Sequence, residues 1–181
     1  MEEKIRLKDK DFELFIPEAE IVAAIRKMAG TIWRDAKGKN PLFVGILNGA
    51  YMFTTELMSL LPPDCELTFA AYSSYRGTQS GGVVQEVMPI RGNINNRLII
   101  LLEDVVDTGL TMQYVMRKLQ RSGAGKVSLA TMLFKPYSLK CDLKPDYIGI
   151  EIADDFVVGF GLDYDGLGRT SRNIYKIKNN H

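Results

Sequence analysis

Glu103, Asp104 and Asp107 fall within five residues of one another, and Thr108-Gly109-Leu110-Thr111 follows at once. Carboxylates this close repel unless cations or hydroxyl donors share them. The turn behind them has the opposite preference. If a helix begins near Gly109, the backbone N–H groups of residues 108–111 have no helical acceptor. The helix dipole adds positive potential there. With two threonine hydroxyls, this is an anion site suited to a phosphate monoester, and Gly109 lets the backbone come close to it. The acidic half suits a ribose diol, or Mg²⁺ reached directly or through its waters. One ligand satisfies both halves: a sugar with a vicinal diol and a phosphate, that is, a ribose 5-phosphate. Asp107 lies between the halves, where the sugar ring would sit. Taken singly, each acid could simply cap a strand end or a helix start. The unbroken string, coming after a buried apolar run, points to the ligand.

The rest of the sequence narrows the chemistry. Its only histidine is His181, the last residue. That excludes a histidine-assisted serine or cysteine nucleophile and a histidine metal site. Proton acceptors must then be carboxylates, lysines or tyrosines, and any metal a hard cation on oxygen. Cys65 and Cys141 stand far apart, in no metal or redox spacing, and read as buried free thiols of a reducing compartment. A formal net charge of +1 gives no footprint for nucleic acid. No apolar run is long enough to span a membrane, and the charged start is no signal peptide, so the expected location is cytoplasmic. A P-loop with its lysine is absent. "GAGKVS" (123–128) follows a helix and precedes a strand, the wrong order for a dinucleotide fingerprint.

Strands and helices must hold these residues in place. Near-continuous apolar runs at 41–47, 97–102 and 126–135 read as strands covered on both faces. Further strands are expected at 12–16, 66–74, 83–90, 145–152, 155–165 and 173–177. Helical spacing predicts helices over 18–36, opened by Pro17, over 50–61, and after Gly109, capped by Gly123. "YRGTQSGG" (75–82) reads as a polar loop. Strands alternating with helices give an α/β fold with a twisted parallel sheet flanked by helices. The whole chain, 1–181, reads as one domain, with a core over about 40–155 and a small hood lobe from about 1–16 and 156–181.

"LLEDVVDTGLT" resembles the phosphoribosyl-diphosphate signature of the type I phosphoribosyltransferases. "ILNGAYMF", "SSYRGTQSGG", "MLFKP", "DFVVGFGLDYDGLGR" and "YKI" resemble landmarks of the hypoxanthine-guanine branch, over about residues 40–178. The resemblance implies a type I phosphoribosyltransferase fold and transfer of phosphoribose from phosphoribosyl diphosphate to a 6-oxopurine. It also implies Mg²⁺ and a homodimer or homotetramer.

The resemblance carries roles onto particular residues. Glu103 and Asp104 would hold the ribose hydroxyls and associated Mg²⁺, and Thr108, Gly109, Leu110 and Thr111 the 5-phosphate. Asp107 would be the catalytic proton acceptor. Lys135, otherwise a solvated strand end, would donate to the purine 6-oxo oxygen. Phe156, otherwise plain core, would stack on the purine, and the Val157 backbone would bond its edge. Asp163 resembles a second metal-associated carboxylate beside the purine, and Arg169 the cation on diphosphate. Leu47-Asn48-Gly49-Ala50 matches the diphosphate loop, often with a cis peptide before its second residue. Lysine-glycine-serine is commoner there than Asn48-Gly49-Ala50, a change that leaves backbone donation from Asn48 and Gly49 intact. Ser74 and Tyr75 would belong to a lid that excludes water from the reacting centre. Two rival readings are an enzyme of this fold for xanthine or a pyrimidine, and a nucleotide-sensing regulator that binds nucleic acid.

Overall fold

The computed structural model describes residues 3–75 and 83–178. In chain order the elements are β1 (Lys4–Leu7), β2 (Lys10–Ile16), α1 (Glu18–Ala36), β3 (Leu42–Leu47), α2 (Tyr51–Met58), β4 (Glu66–Tyr75) and β5 (Val83–Met88). Then come β6 (Leu98–Val106), α3 (Leu110–Arg121), β7 (Lys126–Phe134), β8 (Tyr147–Glu151), β9 (Val157–Val158) and β10 (Ile174–Ile177). They form two sheets among the described residues. The larger has the order β5-β4-β3-β6-β7-β8, and the smaller β1-β2-β10-β9.

The large sheet follows from the apolar runs. Along β3 and β6, alternate side chains point to opposite faces. Phe43, Ile100 and Leu102 pack beneath α1 and α2 with Ile25, Ile32 and Phe53. Leu42, Val44, Ile99 and Leu101 pack against Met112, Val115 and Leu119 of α3. Both faces are therefore covered, as a parallel sheet requires. The sheet is mixed rather than wholly parallel, because β5 returns antiparallel to β4. An antiparallel edge strand needs only a hairpin, whereas each parallel neighbour needs a crossover.

The small sheet joins the two ends of the chain. β2 pairs antiparallel with β1 and with β10, and β10 with β9. Phe12, Val158 and Tyr175 form its buried centre. Side chains tie it to the helices. Asn173 Oδ1 accepts the Glu18 N–H at 2.8 Å and so caps α1, whose own Pro17 offers no side-chain cap. Arg172 donates to Glu18 at 2.8 Å and to Glu56 at 3.4 Å.

Several expectations need correction. β1 is an additional strand, in a polar segment that periodicity does not flag. The strand expected over 155–165 shrinks to Val157–Val158. Gly159, Phe160, Gly161 and Asp165 all have positive φ there, which breaks a strand. Cys65 and Cys141 are free but only half-buried. Ser74 and Tyr75 end β4, and most of the expected lid, 76–82, lies outside the described residues. No described helix is long and apolar enough to cross a membrane.

Ile100 is fully buried in β6, the strand that leads into the acidic string. Ile100→Ala is expected to lower unfolding free energy by about 2–5 kcal/mol, measured by urea denaturation.

Candidate functional site

The carboxyl ends of neighbouring strands build the site. β6 and β7 run parallel with Val106 opposite Phe134. Their next residues, Asp107 and Lys135, therefore leave the sheet side by side. The Lys135 N–H donates to Val106 O at 3.0 Å and fixes that exit. β8 extends the row, with Phe134 opposite Glu151 and the Ile152 N–H on Phe134 O at 2.9 Å. Lys135 is buried rather than solvated. Its Nζ lies 3.6 Å from Asp107 Oδ2 and 3.4 Å from Asp154 Oδ1. A buried ammonium needs such partners, and the strand ends supply two.

β6 continues to Val106, so Glu103 and Asp104 are strand residues and not a loop after it. Pairing with β7 holds Glu103 opposite Thr131. Glu103 Oε2 is buried with no hydrogen-bond partner. Burial, then the neighbouring Asp104 charge, holds its carboxyl well above the usual range. Asp104 Oδ1 accepts the Val105 N–H at 2.8 Å. Its other oxygen faces Gly49, where any Cβ would overlap the carboxylate. A Cβ on Gly161 would likewise overlap the Gly49 carbonyl oxygen. The loop after β3 thus lies pressed between the acid strand and the 159–169 loop, and only glycine fits at its centre. The Leu47–Asn48 peptide in this loop is cis.

α3 supplies the anion end. Gly109 is its N-cap, with φ 75° and no side-chain cap, and no acid stands in the first turn. The first helical bond runs from the Gln113 N–H to Gly109 O at 2.9 Å, so the N–H groups before Gln113 have no helical acceptor. A Cβ on Gly109 would meet Cys141 Sγ and Leu139 Cδ2, each at 2.9 Å. Glu103, Asp107, Thr108, Gly109 and Thr111 all line one cavity of about 100 Å³. A roomier groove of about 370 Å³ runs along the outer side of α3, past Tyr114 and Arg117, and contains none of the acids.

Phe156 is 46% exposed, so it is not plain core. Phe12 and Tyr164 pack against it, with ring centroids at 6.3 and 6.0 Å, and the rest of its surface is open to solvent. Val157 beside it is buried in β9. Asp163 and Arg169, expected as separate ligand contacts, bind each other. Arg169 Nη2 lies 2.7 Å from Asp163 Oδ1, and Arg169 Nη1 donates to Gly161 O at 2.6 Å. The Tyr51 hydroxyl holds the Arg169 carbonyl at 3.1 Å. Sequence reasoning missed Asp154 and Gly161. Nothing local ties Asp154 to Lys135; only the register of β7 and β8 does.

The profile of the phosphoribosyl transferase domain matches residues 17–165. The chain belongs to the phosphoribosyl transferase family. Proteins named hypoxanthine-guanine phosphoribosyltransferase from Streptococcus mutans and Lactococcus lactis are each 38% identical to it. The matches cover 81% and 87% of this chain and 82% and 86% of those proteins. A crystal structure of a hypoxanthine phosphoribosyltransferase from Staphylococcus aureus superposes with a TM-score of 0.87 at 33% identity, over 92% of this chain and 91% of that one. The hypoxanthine phosphoribosyl transferase of Trypanosoma cruzi gives 0.85 at 28% identity, over 96% and 95%.

This phosphoribosyl transferase fold carries an electrostatic load in its acid strand. Asp104 is pushed up to about 6, chiefly by burial and further by Asp163, against the pull of the Val105 amide and Arg169. The folded chain thus holds the Asp104 proton more tightly than the unfolded chain does. Between the ordinary value of 3.8 and about 6, this group's contribution to stability falls as pH rises. In EDTA without ligand, Asp104→Asn is expected to be more stable than wild type at neutral pH by roughly 1–3 kcal/mol. Chemical denaturation at a series of pH values should show that gap closing towards pH 3.8.

Proposed function

We propose that this chain is a 6-oxopurine phosphoribosyltransferase of purine salvage. It transfers phosphoribose from phosphoribosyl diphosphate to hypoxanthine or guanine, giving IMP or GMP and diphosphate. The reading rests on one observation above the others: an acid-bearing strand runs straight into the uncapped start of α3, with Lys135 and Asp107 side by side at the same rim.

Each part of the reaction has a residue suited to it. The free N–H groups of Thr108–Thr111 and the threonine hydroxyls take the 5-phosphate. Glu103 and Asp104 accept hydrogen bonds from the ribose hydroxyls. Diphosphate lies against the backbone of Asn48 and Gly49, near Arg169. The purine stacks on the exposed ring of Phe156, and the Val157 backbone meets its edge. Lys135 donates to the 6-oxo oxygen. Adenine would bring an amine there, donor against donor, and is refused. As the purine nitrogen bonds to the anomeric carbon and diphosphate leaves, that nitrogen's proton becomes acidic. Asp107 takes it late in the reaction, when a weak base is strong enough. Ser74 and Tyr75 belong to the lid that keeps water from the activated sugar.

Mg²⁺ fits this donor set. Glu103 Oε2 is buried without a partner, and a cation would satisfy it. Among the described residues, no group of three His, Cys, Asp or Glu side chains could cage a metal. Mg²⁺ commonly takes one or two carboxylates and fills its shell with substrate oxygens and water. Glu103 and Asp104, with Asp163 nearby, would hold it in that way, and bound it would neutralise charge on diphosphate. The chain acts as one domain, 1–181, whose core over about 40–155 is covered by a hood of about 1–16 and 156–181. The family resemblance adds a homodimer or homotetramer in the cytoplasm.

The test is nucleotide formation from phosphoribosyl diphosphate and Mg²⁺ with hypoxanthine, guanine, xanthine, adenine or uracil. Product is expected with hypoxanthine or guanine and none with adenine or uracil. Absence of product with both of the first two refutes the reading, and xanthine as the sole substrate reassigns it. Asp107→Asn is expected to retain phosphoribosyl diphosphate binding and to lose about two to four orders of magnitude in turnover.

A further inference from the structure

Lys135 stands between two carboxylates, and the reaction above uses only one of them. Its side chain is 9% exposed, and its Nζ is 3.6 Å from Asp107 Oδ2 and 3.4 Å from Asp154 Oδ1. A tight charge-assisted hydrogen bond of this kind spans about 2.8 Å. The ammonium is therefore shared, committed fully to neither acid. The Asp154 contact is a hydrogen bond, and the Asp107 contact is an ion pair without one. The arrangement is built by the backbone. Ile152 hangs on the Phe134 carbonyl, and Asp154 follows two residues later, beside the residue after Phe134.

With Asp107 as its only carboxylate neighbour, the Lys135 ammonium would be drawn towards it. Closure of Lys135 on Asp107 would do harm twice. It would occupy the oxygen meant for the purine proton. It would also draw the ammonium away from the position facing the purine's 6-oxo oxygen. Asp154 pulls the other way. When Asp107 becomes neutral on taking the proton, Asp154 is also the acid that keeps the buried ammonium paired. Its own side chain is 74% exposed, so water weakens the pull without abolishing it.

We propose that Asp154 is a positioning residue that holds Lys135 off Asp107 and in register with the 6-oxo oxygen, and so helps select 6-oxo over 6-amino purines. This rests on the 6-oxopurine reading of the site. The test compares the full-length wild type with Asp154→Asn and Asp154→Glu. The readouts are steady-state kinetics with hypoxanthine and calorimetric binding of IMP and AMP. In Asp154→Asn, kcat/KM for hypoxanthine and affinity for IMP are expected to fall about three- to tenfold. The KM for phosphoribosyl diphosphate and the affinity for AMP should stay unchanged, and Asp154→Glu should recover most of the loss. An asparagine variant with wild-type hypoxanthine kinetics and IMP affinity overturns the proposal. So does one in which IMP and AMP weaken together, the mark of a merely structural role. Wild-type protein that makes no nucleotide from either 6-oxopurine overturns the underlying reading, whereas an active wild type with an indifferent Asp154 overturns only this role.

Discussion

The parallel register of β6, β7 and β8 is the constraint on which the site depends. Val106 lies opposite Phe134, and Phe134 opposite Glu151. Asp107, Lys135 and Asp154 meet because each follows one of those strand ends. A slip of one residue would turn the strands over, since alternate side chains face opposite sides. What prevents it is burial. Ile99 and Leu101 must face α3, while Ile100 and Leu102 must face α1 and α2. Charges at the rim are thus placed by apolar side chains well inside the sheet.

The same burial gives the rim its electrostatic character. A strand covered on both faces offers little water to Glu103 and Asp104, and both carboxyls are raised. The surroundings only partly compensate: a Val105 N–H for Asp104, Arg169 at a distance, and no partner for Glu103 Oε2. Stability is given up locally, which suits the proposed ligand, one that would bring cations and hydroxyl donors. The glycines serve the same end. Gly49 lets the loop after β3 lie against Asp104, where any Cβ would overlap the carboxylate, and Gly161 lets the 159–169 loop lie against the Gly49 carbonyl.

How much was legible in the sequence follows from how local each feature is. The string from Glu103 to Thr111 announces acid and anion halves because adjacent residues carry both. The helices over 18–36 and after Gly109 follow from apolar spacing, and the structure has them at Glu18–Ala36 and Leu110–Arg121. The end of β6 was misread because two acids look like a strand's finish, although Val105 and Val106 go on pairing with Leu133 and Phe134. The 155–165 segment looks like a strand by composition, and its positive-φ glycines break it. Lys135 looked solvated because its burial comes from neighbours distant in sequence. Asp154 and Gly161 were invisible for the same reason, each acquiring its role through a contact that only the folded sheet creates.

A crystal structure with IMP bound tests the central claim most directly. The account predicts the 5-phosphate on the N–H groups of Thr108–Thr111, the ribose hydroxyls towards Glu103 and Asp104, and the base on Phe156 with its 6-oxo oxygen on Lys135 Nζ. A nucleotide seated elsewhere, such as the groove along the outer side of α3, or turned so that its phosphate leaves the start of α3 untouched, would contradict it.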